Sequence, residues 1–153
     1  MKPAQRGSFD LRITREFDAA PELVFEQWSN PEYVRCWFAP DGFAVTSCDF
    51  VPVTGGSWRI SFASQAEVVT EHGDFLEVDP PKRLVFTLSQ RGREGVTASE
   101  TTIVVTFEAT AGGTRMHFHQ SGFDTTQRRD DHVLGWEECF NKLNESLASS
   151  AAR

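Results

Sequence analysis

The chain has 153 residues, with 22 acidic against 15 basic side chains and a net charge of −7. A chain this acidic, without a basic run, repels nucleic acid and anionic lipid surfaces, so neither nucleic acid nor membrane is expected as a partner. Its 39% hydrophobic and 24% charged residues are the proportions of an ordinary globular protein, and its length suits a single domain, residues 1–153 with a core of about 9–147.

Thirteen Phe stand against one Tyr, and Phe has no polar tip to satisfy, which suits a dry interior. Cys36, Cys48 and Cys139 are odd in number and widely spaced, with no C-x-x-C, so neither a zinc site nor a redox motif is expected. Unpaired thiols fit a reducing compartment. The polar start, Met1 to Gly7, has no apolar leader core, and no stretch approaches the length of a membrane span. A cytoplasmic location is the expectation.

Phe9, Leu11, Ile13 and, after a break at Arg15, Phe17 alternate as a first strand. Pro21 then opens a helix with Leu23, Val24, Phe25 and Trp28 on its apolar side. Asn30 and Pro31 end that helix and start another, Asn30 as cap and Pro31 at the first position, followed by Tyr33, Val34, Trp37 and Phe38. Pro40 closes it. From Gly42 the pattern is strands and turns. Phe43, Val45 and Ser47 share one side of a second strand, and Trp58, Ile60 and Phe62 one side of a third. Val68 to Val78 forms a fourth with apolar residues on both faces. Asp79-Pro80-Pro81-Lys82 is a rigid turn. Leu84, Phe86 and Leu88 lie on the fifth strand, and Ile103, Val105 and Phe107 on the sixth. Gly112-Gly113 is a hairpin turn leading to Met116, Phe118 and Gln120 on the seventh. The polar connection Ser89 to Ser99 is longer than a hairpin needs, and reads as a surface loop or as a gate at a cavity mouth.

From about Gln127 to Ser149 the chain forms one long helix. Val133, Trp136, Phe140, Leu143 and Leu147 recur every three or four positions, which makes one apolar stripe. The only large partner for that stripe is the concave face of the antiparallel sheet before it. An α+β architecture follows, and a curved sheet gripping one helix readily leaves a cavity between them.

Several short motifs keep a fixed order along the chain. They are Ala20-Pro21-x-x-Val24-Phe25-x-x-Trp28-Ser29-Asn30-Pro31-Glu32, Trp37-Phe38-x-Pro40 and Gly55-Gly56-x-Trp58-Arg59. Further on come Gly73-x-Phe75-x-Glu77-Val78-x-Pro80-Pro81-x-Arg83-Leu84-Val85-Phe86-Thr87, then Gly112-Gly113-Thr114-Arg115 and His132-x-x-Gly135-Trp136. Together they resemble the SRPBCC or START-like superfamily, in the branch named after the activator of the heat-shock chaperone ATPase. The resemblance covers about Phe9 to Leu147. It implies the helix-grip fold, a seven-stranded antiparallel sheet wrapped around a long C-terminal helix, with the first strand beside the last. It also implies that the two short helices close one end of the cavity.

Chemistry-bearing residues are few. His117 and His119 share a strand face but lack a third ligand, so no metal is expected. His72 with Asp74 or Glu77 would suit an acid–base pair. His132 sits one turn before Trp136, close enough to stack, with Gly135 allowing the helix to approach the sheet. With no phosphate loop and no H-E-x-x-H, no cofactor and no catalytic set are assigned.

The reading is a domain that binds a small hydrophobic or amphipathic molecule. Trp58, Ile60, Phe62, Phe86, Val105, Phe107, Met116 and Phe118 would line the cavity, Trp37, Phe38 and Phe43 its helical end, and Trp136 and Phe140 its roof. Gln120 and Arg59 are candidate polar anchors. The counter-reading is an interior simply filled by these side chains. Two alternatives come from the resemblance: an interaction module with a chaperone or other protein partner, and an enzyme related to polyketide cyclases and dehydratases. Exposed edge strands leave a homodimer open.

Overall fold

A computed structural model describes residues 7–91 and 100–151. Seven strands form one antiparallel sheet: β1 Phe9–Phe17, β2 Ala44–Phe50, β3 Ser57–Ala63, β4 Val68–Asp79, β5 Arg83–Arg91, β6 Thr101–Thr110 and β7 Gly113–Phe123. Two short helices, α1 Pro21–Ser29 and α2 Pro31–Trp37, follow β1, and the long helix α3, Thr126–Ala151, ends the chain. The spatial order is β1-β7-β6-β5-β4-β3-β2, so the meander is consecutive except that β1 closes beside β7. This is the helix-grip arrangement that the resemblance implies, with the first strand beside the last.

Local chemistry sets the helix ends. Pro21 and Pro31 stand at first helical positions, and the Asn30 side chain accepts a hydrogen bond from the Glu32 amide at 3.0 Å. Thr125 Oγ1 accepts from the Arg128 amide at 3.1 Å at the start of α3, which satisfies one amide that the helix cannot pair internally. Along α3, Trp136, Cys139, Phe140, Leu143 and Leu147 are buried in a repeat of three and four, while Val133 is half-buried. Arg15 does not break β1. Its guanidinium donates to Asn141 Oδ1 at 3.1 Å and ties the first strand to α3.

Two strands depart from simple alternation. In β2 the register shifts between Val45 and Ser47. This bulge turns Ser47 outward and carries Cys48 and Phe50 against the core, so the inward run is Phe43, Val45, Cys48, Phe50 rather than Phe43, Val45, Ser47. In β4 one face is buried through Val69, Glu71 and Phe75, which puts a carboxylate in the interior and leaves His72 exposed. Gly73, on that same strand, has no room for a Cβ: one would lie 1.8 Å from the Thr87 carbonyl oxygen and 2.8 Å from Trp58 Nε1. The close approach lets Trp58 Nε1 donate to the Thr87 carbonyl at 3.0 Å. Strand β5 runs on through Arg91, so the polar connection begins later than its composition suggests. Residues 92–99, on which the gate reading rests, lie outside the described residues.

Candidate functional site

All thirteen side chains expected around the interior point inward, but they do not share one space. Trp28 of α1 enters the grip and stands among Trp37, Phe86, Phe118, Trp136 and Phe140, with ring centroids 4.7, 6.2, 6.0, 6.2 and 6.0 Å away. Together with Val34, Trp37, Phe38, Phe50, Trp58, Phe75, Leu84 and Phe86 it encloses only about 10 Å³. Ile60, Val105, Phe107, Met116, Phe118 and Phe140 are buried in this packed core. This part of the grip is filled, with the α1 indole at its centre.

The space lies beside that core, under the first turns of α3. A cavity of about 310 Å³ is lined by Phe38, Pro40 and Phe43 from the connection between α2 and β2, and by Phe62, Glu67, Val69, Glu71 and Gln90 from the sheet and its β3–β4 turn. Arg128, Asp131, His132, Gly135, Trp136 and Cys139 of α3 complete it. Four of the expected lining residues therefore meet here: Phe38, Phe43, Phe62 and Trp136. The exposed Asp131 marks where the cavity reaches solvent.

The rim is fastened to α3. Lys142 Nζ donates to the Ala39 carbonyl at 2.6 Å and lies 3.7 Å from the Asp41 carboxylate, and the Asp41 amide donates to Glu138 Oε1 at 2.9 Å. Trp136 is held from behind. Its Nε1 donates to Gln120 Oε1 at 2.8 Å, Gln120 Nε2 donates to Thr101 Oγ1 at 2.9 Å, and Thr101 Oγ1 donates to the Leu88 carbonyl at 3.0 Å. Gln120 is thus committed to positioning the indole and is absent from the cavity wall. The other expected anchor, Arg59, is exposed on the outer face of the sheet.

Gly135 has a different role from the one its sequence position suggests. A Cβ built there meets nothing within 4 Å, so this glycine does not admit a close helix–sheet contact. It leaves room in the cavity.

The polar wall was hidden in the sequence. Glu71 is 6% exposed and its Oε2 accepts from Gln90 Nε2 at 2.8 Å. Its other oxygen has no hydrogen bond among the described residues. Burial raises its carboxyl from 4.5 to about 7, against smaller opposing effects of the Gln90 bond and the Arg128 charge. On α3, His132 Nδ1 donates to the Arg128 carbonyl at 2.8 Å, and its ring lies 5.0 Å from that of Phe123. It is Phe123, not Trp136, that packs on this imidazole. Burial lowers the His132 pKa, so the ring is neutral near pH 7 with Nε2 left as an acceptor. Arg128 Nη1 lies 3.5 Å from the Asp124 carboxylate, an ion pair without hydrogen-bond geometry. Burial also raises the Cys139 thiol far above its ordinary value, which leaves it a small apolar group in the wall.

The remaining histidines stand elsewhere. His117 pairs with Glu108 at 3.2 Å and His119 with Asp10 at 2.8 Å on the exposed face. Glu77 accepts from Arg83 at 3.1 Å and makes no pair with His72. Among the described residues no three His, Cys, Asp or Glu side chains gather as a metal site, and no helix is long and apolar enough to cross a membrane.

Comparison with solved structures returns the same architecture many times. The AHSA1 protein from Silicibacter pomeroyi superposes with a TM-score of 0.84 at 24% identity, covering 93% of this chain and 99% of that one. A protein from Chromobacterium violaceum gives 0.79 at 21% identity, covering 90% and 96%. One from Rhizobium leguminosarum gives 0.77 at 27% identity, covering 92% and 95%. No curated protein matches the chain. The model of the family described as activator of Hsp90 ATPase homolog 1-like protein matches residues 18–148, from the end of β1 through nearly all of α3. With that span and this fold, the chain belongs to the family of activator of Hsp90 ATPase homolog 1-like proteins.

Proposed function

We propose that the protein holds a small, mainly apolar molecule with a polar end in the cavity beneath the start of α3. The carrying observation is the composition of that cavity. About 310 Å³ is bounded by four aromatic rings on one side and a buried carboxyl, an amide, an imidazole and a guanidinium on the other. Ligand sites have this constitution: mostly apolar walls, a few convergent polar groups and a volume of about 300 Å³ or more. A buried Glu supported by one neutral partner costs folding free energy. Its presence in an otherwise aromatic space is easier to explain by a bound partner than by packing.

Native mass spectrometry of the protein as purified from cells, set against its denatured mass, tests the reading. A non-covalent adduct is expected, and Gly135→Leu should abolish it while leaving the fold intact, because the new side chain grows into the cavity. An adduct that persists in Gly135→Leu would place the ligand elsewhere and defeat the proposal.

Glu71 and His132 on one cavity wall favour a second reading, an enzyme that moves a proton within a bound molecule. Turnover lost in Glu71→Gln with the adduct retained would promote it. A chaperone partner is a third reading, supported only by the family's name. It would be favoured by protein binding that survives Gly135→Leu and fails on surface substitution.

A further inference from the structure

Resting on the ligand-holding reading above, we propose that the polar end of the cavity receives an uncharged hydroxyl head, that of an alcohol or phenol. This head accepts a hydrogen bond from Arg128 and donates one to Glu71 or His132, with Phe38, Phe43, Phe62 and Trp136 around the apolar body.

The polar groups of this wall are of both kinds. Arg128 lines the cavity, and its Nη1 is buried with no hydrogen-bond partner among the described residues. The Asp124 carboxylate, 3.5 Å away, lies outside hydrogen-bond geometry. The guanidinium is near enough for its charge to favour the ionised Glu71, which puts this donor at the same end of the cavity. Two acceptors stand with it. Glu71 has one oxygen bonded to Gln90 and the other unbonded among the described residues. The only N–H of the neutral His132 is given to the Arg128 carbonyl, so Nε2 can only accept.

The head group has to answer both kinds, because a buried polar group left unpaired costs more than a typical hydrogen bond returns. An ammonium head has donors only, and would face the unpartnered Arg128 N–H. A carboxylate head has acceptors only: it would serve Arg128 but meet the Glu71 oxygen and the lone pair of His132. A hydroxyl group both donates and accepts. It also brings no charge to a wall where Arg128 already has an ionic neighbour in Asp124. Near neutral pH Glu71 is divided between its two protonation states. A hydroxyl fits either one, donating to the carboxylate or accepting from the acid.

The test is calorimetric titration at neutral pH with 2-phenylethanol, its methyl ether, 2-phenylethylamine and phenylacetate. These share one apolar body and differ in whether the head donates, accepts or carries charge. The alcohol should bind about tenfold or more tightly than each of the others. Arg128→Met keeps an apolar stem and removes the donor, so it should lower the alcohol affinity about tenfold and leave the amine no weaker. An amine, ether or phenylacetate that binds as tightly as the alcohol would overturn the hydroxyl assignment. So would an alcohol affinity unchanged in Arg128→Met. Should that variant fail to fold, the ranking of the compounds on the natural protein decides alone. No binding by any of them at millimolar concentration also overturns the assignment. If Gly135→Leu then leaves the native mass unaltered as well, the ligand-holding reading fails with it.

Discussion

The two parts of the grip were built from the same kinds of residue and reached opposite ends. Trp28 and eight other side chains close down on about 10 Å³. Beneath the first turns of α3, thirteen side chains and Gly135 enclose about 310 Å³. Apolar character does not separate them, since Phe38 lines both. Two small features do. On the closed side α1 inserts an indole that meets five aromatic rings. On the open side α3 presents Gly135, which puts nothing into the space, and β4 presents Glu71, which resists close apolar packing around its carboxyl. A cavity persists where the chain withholds a side chain and places a polar group.

The largest test of this contrast is Trp28→Ala. Removing a fully packed indole should cost about 3–5 kcal/mol in chemical denaturation and open the closed side. A loss below about 1 kcal/mol would mean that the Trp28 cluster does not hold the core as described.

Next comes Glu71→Gln. The folded carboxyl titrates at about 7 against 4.5 when unfolded, so the folded state holds the proton more tightly. The stability this group contributes is complete below pH 4.5 and is lost as pH rises through 7. The variant lacks this loss. It should match the natural protein near pH 4 and exceed it by about 3 kcal/mol above pH 8. Denaturation midpoints that keep the same spacing at both pH values would show that Glu71 is not buried as described.

Gln120→Leu should cost about 1–3 kcal/mol, because it strands the Trp136 indole N–H away from water, while the Thr101 hydroxyl keeps its bond to the Leu88 carbonyl. It should also disturb ligand capture, although Gln120 does not touch the cavity. The smallest effect belongs to Gly135→Ala. A methyl group there meets open space, and Gly in a helix interior is disfavoured, so the variant should gain about 0.5–1 kcal/mol. Destabilisation on this change would mean that the space beside Gly135 is already filled.

Much of this was legible in the residues. Alternation along the strands, Pro21, Pro31 and Asn30 at the helix starts, and the Trp136–Phe140–Leu143–Leu147 stripe each act through local periodicity or capping, so they show in the chain alone. Phe38, Phe43, Phe62 and Trp136 could be named for the same reason. Glu71 could not. In β4, Val69 and Phe75 lie on its face, but Val68 and Leu76 make the other face look equally apolar, and a Glu among them reads as surface. Ser47 was misplaced because a bulge adds a residue to one strand without marking it in composition. His132 gave its motif away but not its partner, since Phe123 reaches it only once β7 packs beneath α3.

The sequence by itself determined the element order, the antiparallel grip and the apolar stripe of α3, because these depend on neighbours a few residues apart. Only the tertiary structure decided which part of the interior is filled and which is open. That outcome depends on how far Trp28 reaches from α1, on the missing side chain of Gly135, and on which face of β4 turns inward. Each is a volume or an orientation in three dimensions, settled by elements that are distant in the chain and meet only in the folded protein.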